Sequence, residues 1–441
     1  MKLLVIQCAA LGHDLVARHP ELWDKLPLTL RPLQPTFPAV TGTAQATFRT
    51  GLPPHDHGII GNGLYDRELR KPLFWEQSAA LLPQRRIWDG FRARGGRVGL
   101  VCWQQSLGDT ADLIVSPAPI HKHGGGMIQA LYTQPPELAG ELRAAVGRDF
   151  NLHSYWGPLA GLHSTRWIAE ATAALLRRQA CDLLLTYLPH LDYALQRHGP
   201  QDEKNTRRAV AQLVCELRKL LAAAAAAGYE TLIFGDYAIT PAHQVLFPNR
   251  ELRKAGLFQV RAVKGMAYPD LHASRAFALV DHQVAHLYVK EARDLPAVKE
   301  LFLDRTVVAK VAETPPDGSP WSRRAGDLVL TAARGTWFAY PWWEARREEP
   351  EFASHVDIHN KPGFDPCELH WGWPPPAISR NPARVGGTHG RGDAPAAWGA
   401  TVPLDPADAT RQASAEASLL DLSHAVERLL APEPPPSCPS P

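Results

Sequence analysis

The chain has 441 residues, 45% of them hydrophobic, with 47 Lys and Arg against 45 Asp and Glu and a formal net charge of +2. That size supports a large buried core, and the balanced, dispersed charge offers no footprint for a nucleic-acid polymer or an anionic membrane surface. No run approaches the ~20 apolar residues of a membrane-spanning helix, and the six scattered cysteines form no CxxC pair, so a reducing, cytoplasmic location is expected.

Short apolar runs at residues 3–6, 98–103, 182–188, 231–234 and 284–289 are near-continuous in Val, Leu and Ile, the pattern of strands buried on both faces. Helical stretches at 164–179 and 202–227 alternate with them. This alternation predicts an α/β fold, a three-layer sandwich around a mainly parallel sheet. Ligands of such sheets bind beyond the carboxyl ends of the strands. Two of those ends deliver an aspartate, Asp192 after Leu188-Pro189-His190-Leu191 and Asp236 after Gly235. Residues 323–375 are rich in Trp, Arg and Pro and predict a smaller peripheral lobe on a catalytic domain of residues 1–400. Residues 401–441 predict a C-terminal helix, with its amphipathic pattern at 413–430, and a Pro-rich tail.

The segment Phe37-Pro38-Ala39-Val40-Thr41-Gly42-Thr43-Ala44-Gln45-Ala46-Thr47-Phe48-Arg49-Thr50-Gly51 is dense in hydroxyls and glycines. A helix start of this kind presents free N–H groups that accept phosphate oxygens. Together with His57-Gly58-Ile59-Ile60-Gly61-Asn62, Asp192 before Gly199-Pro200, Asp236, and Gly387-Thr388-His389-Gly390, it resembles the nucleotide pyrophosphatase/phosphodiesterase branch of the alkaline phosphatase superfamily. Phosphonoacetate hydrolase is a more distant likeness. The resemblance spans residues 3–391 and implies an alkaline-phosphatase-like fold, a metal-bound threonine nucleophile at Thr41, and one or two divalent ions. Those ions are expected to be zinc, with manganese or magnesium as alternatives. Retained from the implied ligand set are Thr41, Asp192, Asp236 and His389. Gln45, Asn62 and Arg49 are candidate substrate contacts.

The chain departs from the implied set at three ligand positions. Ala9 stands in place of the first aspartate, Gln196 in the slot of a histidine four residues after Asp192, and Tyr237 in place of the histidine after Asp236. Ala44 also replaces an asparagine that steadies a substrate oxygen. Candidate substitutes are Gln196 itself, His198, the cluster Asp281, His282 and His286, and the pair Asp357 and His359, which share a face if that segment is extended. Borderline-soft ions favour such imidazole and carboxylate ligands. Three readings follow. The first is a metal-dependent hydrolase of phosphoric diesters or nucleotide pyrophosphates acting on a small phosphorylated substrate. The second is a ligand-binding or scaffold protein that has lost hydrolysis, and the third is a phosphonate C–P hydrolase.

Overall fold

The computed structural model describes residues 1–122, 127–406 and 416–432. Its main sheet has eight strands in the order Arg31–Leu33, Ala396–Ala400, Glu230–Gly235, Leu3–Cys8, Leu183–Leu188, Val98–Val101, Leu113–Pro117 and Leu131–Gln134. The five strands from Glu230–Gly235 to Leu113–Pro117 run parallel, Ala396–Ala400 and Leu131–Gln134 pair antiparallel on either side of them, and Arg31–Leu33 pairs antiparallel with Ala396–Ala400. Leu3–Cys8 lies in the middle and is buried at every position. That explains why its residues are apolar without alternation.

Register assigns the faces. Ile6 pairs with Thr186 and Ile233 on one face, where the Thr186 hydroxyl meets Thr172 of the helix Leu162–Arg177 at 2.9 Å. That helix packs against the 24-residue helix Glu203–Ala226, whose first turn is capped by the Asp202 carboxylate accepting from Asn205 N. On the opposite face Phe234 stacks on Phe48 of the helix Thr41–Thr50 at 4.8 Å. The helix Leu419–Leu430, started by a Ser418/Asp421 capping box, packs against Thr41–Thr50 and donates the Ser423 hydroxyl to Phe48 O. Helices on both faces give the three-layer sandwich expected of this sequence. Of the C-terminal segment expected to be helical, residues 413–415 lie outside the described residues, as does the tail from residue 433.

The run at 284–289 is a strand, but not of the main sheet. Val284–Val289 pairs antiparallel with Ala276–Asp281 and Leu328–Ala332, and Val308–Glu313 completes a second, four-stranded sheet. Its own core includes Phe277, Leu287, Phe302, Leu330, Phe338, Trp342 and Trp343. This second sheet starts at Ala276, ahead of the Trp-rich stretch at 323–375, and Trp342 and Trp343 of that stretch are packing groups in its core. Trp371 and Trp373 remain exposed. Among the described residues no helix is long and apolar enough to cross a membrane, and Cys8, Cys102, Cys181 and Cys367 are buried free thiols.

Candidate active site

Parallel register sets Gln7 beside Tyr187 and Phe234 on one face at the carboxyl ends of the central strands. The Phe48–Phe234 stack seats the helix above them so that its first residue, Thr41, hangs over those ends. The Thr41 hydroxyl donates to Asp236 Oδ2 at 3.1 Å and lies 3.5 Å from the Tyr187 hydroxyl and 3.4 Å from that of Tyr237. Asp236 also accepts from Gln7 Nε2 at 2.7 Å and from Ala10 N at 3.1 Å. Complete burial pushes the Asp236 carboxyl up to about 7, and the Asp192 charge adds to that, while the hydrogen bonds from Ala10 and Gln7 work against it.

Asp192 sits in the first turn of the helix His190–His198. Its Oδ2 accepts from Gln196 Nε2, one turn on, at 2.7 Å, and its Oδ1 from the Tyr237 hydroxyl at 3.0 Å. His389 Nε2 lies 3.8 Å from the same oxygen. The His389 ring stacks flat on Tyr237, with centroids 3.6 Å apart, and its Nδ1 is 2.7 Å from Ala39 O. A carbonyl only accepts, so Nδ1 carries the proton. Burial and the neighbouring His282 hold His389 well below the usual imidazole range, in its neutral form.

A third group comes from the tight turn joining the strands Ala276–Asp281 and Val284–Val289. Asp281 accepts from Asn62 N at 2.7 Å and Asn62 Nδ2 at 3.2 Å, and lies 2.7 Å from His282 Nδ1. Asn62 Oδ1 in turn accepts from Gly42 N at 3.0 Å. A side chain at Gly42 would press on Gly61 O at 2.9 Å, so glycine permits this close seat. The His282 ring lies between Phe364 and His389, at 3.7 Å from each.

Thr41, Asp192, Asp236 and His389 thus converge as expected, but the surrounding residues do not form the implied two-ion centre. Three neutral donors, Gln7, Gln196 and Tyr237, aim hydrogens at the two carboxylates where ions would have to bind. The Tyr237 hydroxyl itself stands between Asp192 and Thr41. The buried Nε2 atoms of His282 and His389 lack a protein partner. Even so, no group of three His, Cys, Asp or Glu side chains among the described residues could hold an ion.

Several expected positions turn out otherwise. Gln196 acts as a donor to Asp192, and His198 at the end of the same helix is exposed. His286 is satisfied on both nitrogens, by Ile60 O and Gly326 N, and burial lowers it to about 4. Asp281 positions Asn62 and His282 and is not free to ligate. Asp357 and His359 line the same cavity as Thr41, but on a turn at 358–360 and the residue before it, not on an extended segment. Asp357 accepts from Asn360, and His359 Nδ1 is 3.3 Å from Phe74 O. Among the substrate contacts, Gln45 is buried and accepts from Gln104 N at 2.6 Å, and the Asn62 amide is engaged by Gly42 and Asp281.

Arg49 is fully buried and points away from Thr41. It meets Asp109 at 3.3 Å and Gln105 O at 3.1 Å, while Arg86 reaches the same carboxylate at 3.0 Å. Desolvation pulls Arg49 down to about 10. Asp109→Ala would leave two buried guanidiniums without their carboxylate and is expected to cost roughly 3–5 kcal/mol of stability. Denaturant unfolding measures this, and an unchanged midpoint would show that the ion group does not anchor the helix.

A cavity of about 410 Å³ opens from Thr41, Asp192, Tyr237, His282 and His389. Three residues that line it hold left-handed backbone without being glycine: Trp75 (φ 55°), Cys102 (58°) and His282 (57°). Such strain concentrates at functional sites. The roles of Gln7, Tyr187 and the aromatic wall were hidden in the sequence. The only signal for them was the rule that strand ends carry ligands.

An eight-stranded, mainly parallel sheet with a polar cluster at its carboxyl ends defines an alkaline-phosphatase-like α/β scaffold. The chain belongs to the type I phosphodiesterase / nucleotide pyrophosphatase family, whose model matches residues 28–365, and that family consists of phosphodiesterase and pyrophosphatase hydrolases. Murine ectonucleotide pyrophosphatase / phosphodiesterase 5 is similar in structure at 14% identity, with a TM-score of 0.58 over 98% of this chain and 95% of that one. The human counterpart is similar to the same degree. Phosphonoacetate hydrolase from Sinorhizobium meliloti, in complex with phosphonoformate, is similar at 14% identity with a TM-score of 0.59, over 97% of this chain and 95% of that one. No curated protein matches the sequence.

Proposed function

We propose that this protein hydrolyses a small phosphoric ester in the cytoplasm, with Thr41 as the attacking hydroxyl and Asp236 as the group that takes its proton. The observation that carries this is the 3.1 Å hydrogen bond from Thr41 to a buried carboxylate at the floor of the cavity. Family membership supports the phosphoester substrate. Thr41 Oγ1 forms a bond to phosphorus while its proton passes to Asp236 Oδ2, and the ester P–O bond breaks, releasing the leaving oxygen as an anion that takes its proton from solvent. Water then attacks phosphorus and loses a proton to solvent, the P–Oγ1 bond breaks, and the proton held by Asp236 returns to Thr41 Oγ1. The Tyr187 hydroxyl, 3.5 Å from Thr41 Oγ1, is the O–H donor available to a phosphoryl oxygen, since Tyr237 gives its hydrogen to Asp192. Because the residues present do not fit the two-ion centre, no part of this sequence is assigned to a metal.

The test is to quench the protein during turnover of bis(p-nitrophenyl) phosphate and to examine its peptides by mass spectrometry. A phosphoryl adduct on the peptide containing Thr41, absent from Asp236→Asn, is the expected result. Steady turnover with no adduct and no effect of either residue would overturn the assignment. A second reading, ligand binding without hydrolysis, is favoured by one observation: the carboxylates of Asp192 and Asp236 are already saturated by protein donors. It predicts tight binding with no release of p-nitrophenolate.

A further inference from the structure

We propose that the cavity over Thr41 receives an uncharged, flat, apolar group, so that the favoured substrate is a singly charged phosphodiester of an aryl-type alcohol and not a nucleoside polyphosphate. This rests on the phosphoester reading above and names the class of ester. Trp75, Trp103, Tyr155, Trp156, Tyr193 and Phe364 line the cavity. Their rings are contiguous with the site. Tyr237, His389, His282 and Phe364 follow one another with centroids 3.6–3.7 Å apart, stacked except for the tilted His389–His282 pair, and Phe364 continues to Trp156 at 5.5 Å and Trp75 at 6.4 Å. Trp156 in turn meets Tyr193 at 6.1 Å. Such rings bind a flat apolar group with large contact area and preferred geometry.

Charge narrows the choice further. Among the described residues no Lys or Arg lines the cavity, whereas Glu76, Asp192 and Asp357 do. Each additional phosphate on a ligand would bring negative charge into a partly desolvated space lined by no Lys or Arg among the described residues. A diester carries one charge, placed at Thr41. The carboxylates already accept from neutral donors, Glu76 Oε1 from Gln77 N and Ser78 N, Asp192 from Gln196 and Tyr237, and Asp357 from Asn360, and the choline ester below tests whether their charge still draws a cation. The edge of a nucleobase would find the Gln77 amide nitrogen already given to Gln104 Oε1 at 2.6 Å and Trp75 O at 3.0 Å. The wall is a built feature: Trp75 holds a left-handed backbone and donates its N–H to Asn62 O at 3.0 Å, the residue that also binds Gly42.

The experiment compares three esters that share one leaving group, with wild-type protein: p-nitrophenyl phenyl phosphate, p-nitrophenyl thymidine 5′-phosphate and p-nitrophenyl phosphorylcholine. The phenyl ester is expected to lead in kcat/KM by at least about tenfold, the scale on which an apolar pocket discriminates. Trp156→Leu should remove most of that lead through KM. A lead for the thymidine or the choline ester would overturn the proposal. If none of the three is turned over, the hydrolase reading fails, and the cavity is tested by quenching of tryptophan fluorescence. Tighter binding of diphenyl phosphate than of thymidine 5′-monophosphate or phosphocholine would still support the apolar chamber, and the reverse order would overturn it.

Discussion

Thr41→Ala is expected to abolish measurable hydrolysis of p-nitrophenyl diesters, and Asp236→Asn to lower kcat by about 10²–10⁴-fold, the range of a positioned proton acceptor. Both side chains are buried, and neither carries the packing of the core, so the substitutions should leave a folded protein. Asp236 must be ionised to take the Thr41 proton. With its carboxyl held at about 7, the rate should rise with pH through that value and level off above it. Stability runs the other way. A carboxyl whose folded pKa lies above its unfolded value holds its proton more tightly in the folded state, so its contribution falls as pH rises from about 4 to 7. Asp236→Asn should therefore be more stable than wild type above pH 7, by roughly 2–4 kcal/mol on the scale of one such shift. A variant that loses activity and stability together at pH 8 would show that Asp236 is a structural anchor and not a strained proton acceptor.

Installing the ligands that the family resemblance implies should create an ion site. In the triple variant Ala9→Asp, Gln196→His and Tyr237→His, three groups that cannot serve as anionic or imidazole ligands become a carboxylate and two imidazoles around Asp192, Asp236, Thr41 and His389. The Tyr237 substitution also removes the hydroxyl that stands 3.0 Å from Asp192 and 3.4 Å from Thr41. The variant is expected to retain about one to two zinc ions per chain through gel filtration, because a complete imidazole and carboxylate set binds zinc far more tightly than a partial one. The wild type should retain none. Elemental analysis measures both. Equal metal content in the two proteins, whether high or low, would mean that these three positions do not govern binding. Ala9 is fully buried, so Gln196→His with Tyr237→His, tested alone, guards against a folding failure caused by the added carboxylate.

The architecture was largely legible because doubly covered strands must be apolar throughout, as in Leu3–Cys8 and Leu183–Leu188. Val284–Val289 carries the same signal yet pairs antiparallel in a second sheet, since burial on both faces looks alike in either setting. In the site, the convergence of Thr41, Asp192, Asp236 and His389 followed from strand ends and from the family resemblance. The hydrogen-bond network around these four did not. That depends on the reach of Gln7 from the neighbouring strand position and on the Tyr237 ring lying flat on His389, relations of tertiary packing that spacing does not encode. Arg49 was misplaced for a similar reason. Its side of the helix faces Asp109, sixty residues away in the chain, and nothing local distinguishes a buried ion pair from a phosphate contact. The histidines of the 281–286 segment divided by their strand positions: His282 at the turn reaches the cavity, while His286 inside the strand is held between backbone groups.

The most direct test is the rate of bis(p-nitrophenyl) phosphate hydrolysis by protein dialysed against a strong chelator and verified free of zinc, manganese and magnesium, beside Thr41→Ala treated in the same way. The expected result is turnover that survives chelation and disappears with Thr41. Activity lost on chelation and recovered with zinc would contradict it, and would mean that Asp192, Asp236 and His389 hold an ion in spite of the amide and phenol hydrogens now turned toward them.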